Sequence, residues 1–124
     1  MSLNKKILLV DDEEGFLTMI KEALEIRGFE VATASNAIDA GLQLSSKRFD
    51  LILMDIKMPG IDGLQACMAI KKNSSTENIP IIIISAITKE TQIKSAHGID
   101  VFDHFVKPVD IEKLINRIKE ALAI

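Results

Sequence analysis

The 124-residue chain contains no Trp and no Tyr, only one Cys, and just three Pro. With five Phe as its only aromatics, the interior has to be assembled from Ile, Leu, Val, Met and Ala. The lone thiol, Cys67, cannot close an internal disulfide and is expected as a packed side chain. Cysteine usage therefore gives no sign of an oxidising compartment. Apolar runs such as Ile81–Ile84 are far too short to cross a bilayer. Lys5 and Lys6 lead into only four apolar residues before two aspartates, which is no signal peptide. Basic residues are not in excess either. The formal net charge is −3 and Lys and Arg are scattered, so no direct nucleic-acid partner and no membrane partner are expected, and the cytoplasm is the expected location.

What remains is an ordinary globular composition, 48% hydrophobic and 27% charged, at a length that suits one domain. That domain is read over residues 1–124, with residues 1–4 flexible or tag-derived. Short apolar runs alternate with helical periodicity five times, the pattern of an α/β protein with a parallel sheet. Strands are expected at Lys6–Val10, Val31–Ala34, Asp50–Met54, Ile81–Ile84 and His104–Val106. The first helix is expected to bury Phe16, Ile20 and Leu24 and to end before Gly28. Asn36 suits the cap of a second helix carrying Ile38, Leu42 and Leu44. A third helix is expected at Leu64–Lys72, a fourth from Thr88 or Lys89 to about Ala96, and a last one capped by Asp110 with Leu114, Ile118 and Leu122 on one stripe. Right-handed crossovers make this a doubly wound three-layer sandwich.

Four residues stand at the C-terminal ends of these strands, where ligands bind in open parallel sheets. They are Asp11 and Asp12 after ILLV, Asp55 after LILM, and Lys107 after HFV. Acids at 11–14 also suit a helix N-terminus, but Asp55 has no helix start beside it. Three gathered carboxylates call for a hard divalent cation such as Mg2+, and a lysine among them suits an anion. Asp11 and Asp12 would hold the metal, while Asp55 would serve as both ligand and nucleophile toward a phosphoryl group. Lys107 would pair with one phosphoryl oxygen, and the Ser85 hydroxyl would donate to another.

At these residues the chain resembles the receiver domain of two-component response regulators. The matching pieces are ILLVDDEE at 7–14, LILMDIKMPGIDG at 51–63, IIIISA at 81–86 and HFVKPVD at 104–110. The resemblance implies a flavodoxin-like fold, with a five-stranded parallel sheet of order 2-1-3-4-5 flanked by five helices. It implies a signalling switch in which Asp55 is phosphorylated by a sensor histidine kinase or a histidine phosphotransfer protein. The metal would be Mg2+, with Mn2+ as a substitute, held directly by Asp12 and Asp55, mostly through water by Asp11, and by the backbone carbonyl of Lys57. Ser85 and His104 would be the switch residues, acting on the face formed by the fourth helix and fifth strand, and the Lys107–Pro108 bond would be cis. A downstream protein target or output domain would read the change, with a phosphorylation-dependent dimer left open. His104 stands where the family usually has Tyr or Phe, and Asp100-Val101-Phe102-Asp103 replaces the family's small approach to the last strand. Lys57 and Ile87 flank the path of the hydrolytic water in that pattern, so slow autodephosphorylation is expected.

Such a domain assists its own phosphorylation and is not a turnover enzyme. The alternative, a Mg2+-dependent aspartyl-phosphate phosphohydrolase, would want a second acid two residues after Asp55, where Lys57 stands. A flavin-binding module would want a glycine- and hydroxyl-rich loop where Asp11–Glu14 stands.

Overall fold

The computed structural model describes residues 5–56, 63–86 and 101–124. Strands β1 (Lys6–Val10), β2 (Glu30–Ala34), β3 (Leu51–Met54), β4 (Ile81–Ser85) and β5 (Asp103–Val106) form one sheet of order 2-1-3-4-5. Every pairing is parallel. Helices α1 (Glu14–Ile26), α2 (Ala37–Ser46), α3 (Gly63–Lys72) and α4 (Ile111–Leu122) are the four among the described residues. The helix expected over 88–96 and the Met58-Pro59-Gly60 loop lie outside them.

Central strands β1, β3 and β4 are covered on both faces, which is why they read as unbroken apolar runs. Alternation along each strand sorts the side chains into two cores. Ile7, Leu9, Leu53, Ile82 and Ile84 face Phe16, Ile20 and Leu24 of α1 and Leu114, Ile115 and Ile118 of α4. Leu8, Val10, Ile52, Met54, Ile81 and Ile83 face Ala40 of α2 and Cys67 and Ile70 of α3. These are the three layers expected from the sequence.

Local chemistry sets the helix ends. The Asn36 side chain accepts from the Asp39 amide at 2.8 Å, and that of Asp110 accepts from the Lys113 amide at 3.1 Å. After α1, Gly28 takes φ 95°, a left-handed turn that glycine adopts without steric cost. The second helix does carry Ile38, Leu42 and Leu44, but not all of them face the core. Ile38 and Leu42 are 68% and 65% exposed, and the inward face is Ala37, Ala40 and Leu44.

Register is what builds the functional edge. Val10 pairs with Ala34 and Met54, Met54 with Ile83, and Ser85 with Val106. The Asp55 amide donates to the Val10 carbonyl at 2.9 Å, and the Asp11 amide to the Ala34 carbonyl at 3.0 Å. The Lys107 amide donates to the Ser85 carbonyl at 2.9 Å. The residues just past the strands are thus fixed by the same ladder that holds the sheet.

Gly63 opens α3 against this edge, and its amide donates to the Ile56 carbonyl at 2.6 Å. A Cβ there would overlap the Asp55 carbonyl oxygen and lie 2.7 Å from the Ile56 Cα and 2.8 Å from the Asp55 carbonyl carbon. Since both neighbours are backbone, Gly63→Ala must displace the chain after β3. We expect a loss of about 1–3 kcal/mol of unfolding free energy. Urea denaturation checks this, and an unchanged midpoint would contradict so close an approach.

Candidate functional site

Asp11, Asp12 and Asp55 come together beyond β1 and β3, with one carboxylate oxygen from each lying within 4.8 Å of the others. Asp11 is 1% and Asp55 6% exposed, while Asp12 faces solvent. Carboxylates this close repel, and the two buried ones have little water to screen them. Their donor set is all oxygen, with two nearly buried ligands and one open to solvent. That fits a hard divalent cation keeping part of its hydration, the habit of Mg2+.

Both oxygens of Asp11 are engaged by the protein itself. Oδ1 accepts from the Glu13 amide at 3.0 Å, and Oδ2 accepts from Lys107 Nζ at 2.7 Å. The Lys107 side chain is 15% exposed. Its ammonium also reaches Glu13 Oε1 at 3.3 Å and lies 4.2 Å from the centroid of the Phe16 ring. Burial works against the charged lysine and is the largest single influence on it. The hydrogen bond and charge of Asp11, with the charge of Asp55 and the hydrogen bond of Glu13, outweigh burial and hold Lys107 above its ordinary pKa. The Lys107–Pro108 bond is cis, as the resemblance implied.

Ser85 ends β4 with no exposed surface, its backbone tied to Lys107 across the β4–β5 ladder. His104 pairs in register with Ile83 and is half-buried. Its Nε2 is buried with no hydrogen-bond partner among the described residues. Burial pushes its pKa down, and the neighbouring Asp103 carboxylate opposes this only in part. Within the approach to β5, Phe102 and Asp103 are tied to their neighbours. The Phe102 amide donates to the Ile81 carbonyl at 2.7 Å, Arg117 Nε donates to Asp103 Oδ2 at 2.7 Å, and the same guanidinium stacks 4.3 Å from the Phe102 ring centroid. Lys57 and Ile87 lie outside the described residues.

Glu13, Phe16 and Gly63 are contacts of the site that the sequence did not reveal. Glu13 belonged to the acidic run and Phe16 to the core stripe of α1, and no local pattern tied either to Lys107. A cleft of about 590 Å³ between residues 44–50 and 75–80 lies at the other edge of the sheet, away from these charges. The acidic edge can hold a cation, present a carboxylate nucleophile and meet an incoming anion with a lysine.

A family model described as the response regulator receiver domain matches residues 7–119. The nisin biosynthesis regulatory protein NisR of Lactococcus lactis is 40% identical over 115 residues, covering 92% of this chain but 48% of that protein. The chain thus spans about half the length of NisR. Sporulation initiation phosphotransferase F of Bacillus subtilis is 32% identical over 120 residues, covering 97% of this chain and 95% of that one. Among solved structures, the response regulator TrrA of Thermotoga maritima, in complex with Mg(2+)-BeF, aligns with a TM-score of 0.84 at 33% identity, covering 95% of this chain and 99% of that one.

The depressed His104 pKa carries a pH signature. Because folding lowers it from the ordinary 6.5, the unfolded chain takes the proton first. The stability tied to neutral His104 is then whole above the unfolded value, and is lost as pH falls through the lower folded one. Urea midpoints measured from about pH 7.5 down to about pH 5.5 should fall more steeply in the wild type than in His104→Phe. Equal slopes would contradict a His104 buried in its neutral form.

Proposed function

The chain belongs to the response regulator receiver domain family, whose members are phosphorylation-activated signalling switches, and we propose on that footing that Asp55 is its phosphoacceptor. One observation carries this reading. Asp55 is held by the backbone bond to Val10 level with Asp11, inside an acidic cluster that also contains the Lys107 ammonium. Asp11, Asp12, Asp55 and the Lys57 carbonyl would hold Mg2+, with Mn2+ as a substitute. Bound there, the ion supplies neutralisation of the phosphoryl oxygens and of the crowded acids.

The chain's own residues do the rest. An Asp55 carboxylate oxygen attacks the phosphorus in line, forming an O–P bond as the bond from phosphorus to the donor's histidine nitrogen breaks. The donor imidazole leaves with that electron pair. Lys107 gives up part of its bond to Asp11 and pairs with a phosphoryl oxygen, while the Ser85 hydroxyl donates to another. The pull on Ser85 and Lys107, bonded across the β4–β5 ladder, biases β5 and His104 between two arrangements. That is a switch carried by a single receiver unit, and not a turnover enzyme.

The donor we infer is a sensor histidine kinase or a histidine phosphotransfer protein, acting in the cytoplasm. The reader is a downstream protein or an output domain, with a phosphorylation-dependent dimer as one form of output. Direct nucleic-acid binding is not part of this reading, since Lys and Arg are scattered along a sequence of net charge −3. Among the described residues no helix is long and apolar enough to cross a membrane. The phosphohydrolase alternative still lacks its second acid, because Lys57 occupies that position.

Intact-mass spectrometry after incubation with acetyl phosphate and Mg2+ tests the assignment. The wild type should gain about 80 Da, one phosphoryl group, and neither Asp55→Asn nor the metal-free wild type should gain it. An adduct that survives Asp55→Asn would move the phosphoacceptor to another residue.

A further inference from the structure

The phosphoryl chemistry assigns nothing to Phe16, yet among the described residues the Phe16 ring is one of three groups in direct contact with the cation on which that chemistry depends. Phe16 is the third residue of α1, 8% exposed, and packed in the core with residues of both α1 and α4. Its ring is therefore fixed by the interior of the protein, while one face remains 4.2 Å from Lys107 Nζ. An ammonium at that distance is attracted by the ring's quadrupole, most strongly where water is scarce.

The other two partners of Lys107 are anions, Asp11 Oδ2 at 2.7 Å and Glu13 Oε1 at 3.3 Å. Both compete with a phosphoryl oxygen for the same cation, and Glu13 is 65% exposed, so its hold is weak. The ring carries no net charge. It can hold the ammonium near the acids without drawing it away from an arriving phosphoryl group. It also restricts a long, flexible stem before that group arrives, leaving less rotamer freedom to be lost in the reaction.

We propose that Phe16 is a positioning residue for phosphoryl transfer: its ring face seats the Lys107 ammonium beside Asp55, both before and after the phosphoryl group arrives. This rests on the reading that Lys107 pairs with a phosphoryl oxygen. Leu keeps most of the apolar volume of Phe16 and removes the π face, whereas Tyr keeps the face.

The test measures the rate of phosphorylation by acetyl phosphate and Mg2+ in the full chain. Phe16→Leu and Phe16→Tyr are each compared in the wild-type background and in a Lys107→Met background. In the wild-type background Phe16→Leu should slow the reaction by about three- to tenfold, with Phe16→Tyr within about twofold of the wild type. In the Lys107→Met background Phe16→Leu should add no further loss. Lys107 side-chain protons should show an upfield ring-current shift by NMR in the wild type and Phe16→Tyr, with and without Mg2+, and lose it in Phe16→Leu. If Phe16→Leu does not fold, Phe16→Met takes its place. An equal loss in both backgrounds would reduce Phe16 to packing and overturn the proposal. A slowed Lys107→Met beside an unaffected Phe16→Leu would overturn the seat while leaving the role of Lys107 intact. A Lys107→Met that reacts at the wild-type rate would overturn the role of Lys107, and the seat with it.

Discussion

Repulsion among Asp11, Asp12 and Asp55 is the constraint around which the rest of this molecule is arranged. Two of the three acids are almost wholly buried, and carboxylates drawn together out of water raise one another's energy unless something positive stands among them. Lys107 is one such charge, bonded to Asp11 at 2.7 Å and drawn by the charge of Asp55. The residues joined by that bond are 96 positions apart in the chain. The pair therefore closes the first and last strands' ends onto one site, across a sheet in which β3 and β4 lie between them. A cation at the acids and a phosphoryl group on Asp55 would each redistribute the same charges, and that shared dependence is what can make the site a switch.

The scaffold is rigid where this chemistry needs fixed positions. β1, β3 and β4 are buried on both faces, and close-packed interiors resist small displacements. Backbone bonds then carry the order outward, from Val10 to Asp55 and from Ser85 to Lys107. Gly63 lets the chain return directly over the Asp55 carbonyl. β5 is more exposed than the central strands. His104 is half-buried with an unpaired Nε2 among the described residues, Val106 is 38% exposed, and Asp103 is held by Arg117 across the surface. An element bound less tightly on its outer side is the one a charge change at Lys107 can move.

Much of this was legible in the sequence, for physical reasons that differ from residue to residue. Buried parallel strands must be apolar along their whole length, so the residue that breaks the run marks the strand end. That rule located Asp11 and Asp55 without any structure; the HFV run before Lys107 reads the same way in sequence, but β5 is only partly buried. Asn36 and Asp110 were legible as caps because the chemistry of a helix N-terminus is local. The inward face of α2 was not, because Ile38 and Leu42 carry the strongest apolar signal while Ala37 and Ala40 do the packing. The contacts of Glu13 and Phe16 with Lys107 were invisible for another reason. They join residues 94 and 91 positions apart, and periodicity reports only what neighbours along the chain share. The collision awaiting a side chain at Gly63 likewise depends on the path by which the chain comes back to Asp55.

Lys107 bonds Asp11 and feels the charge of Asp55, so the lysine and a divalent cation would draw on the same acids and should compete for them. Calorimetric titration of Mg2+ into the wild type and Lys107→Met tests this most directly. Removing a positive charge that binds Asp11 and faces Asp55 should make Mg2+ bind several-fold more tightly. Affinity that is unchanged or weaker in Lys107→Met would mean that the lysine does not compete for the acids, and would contradict the account.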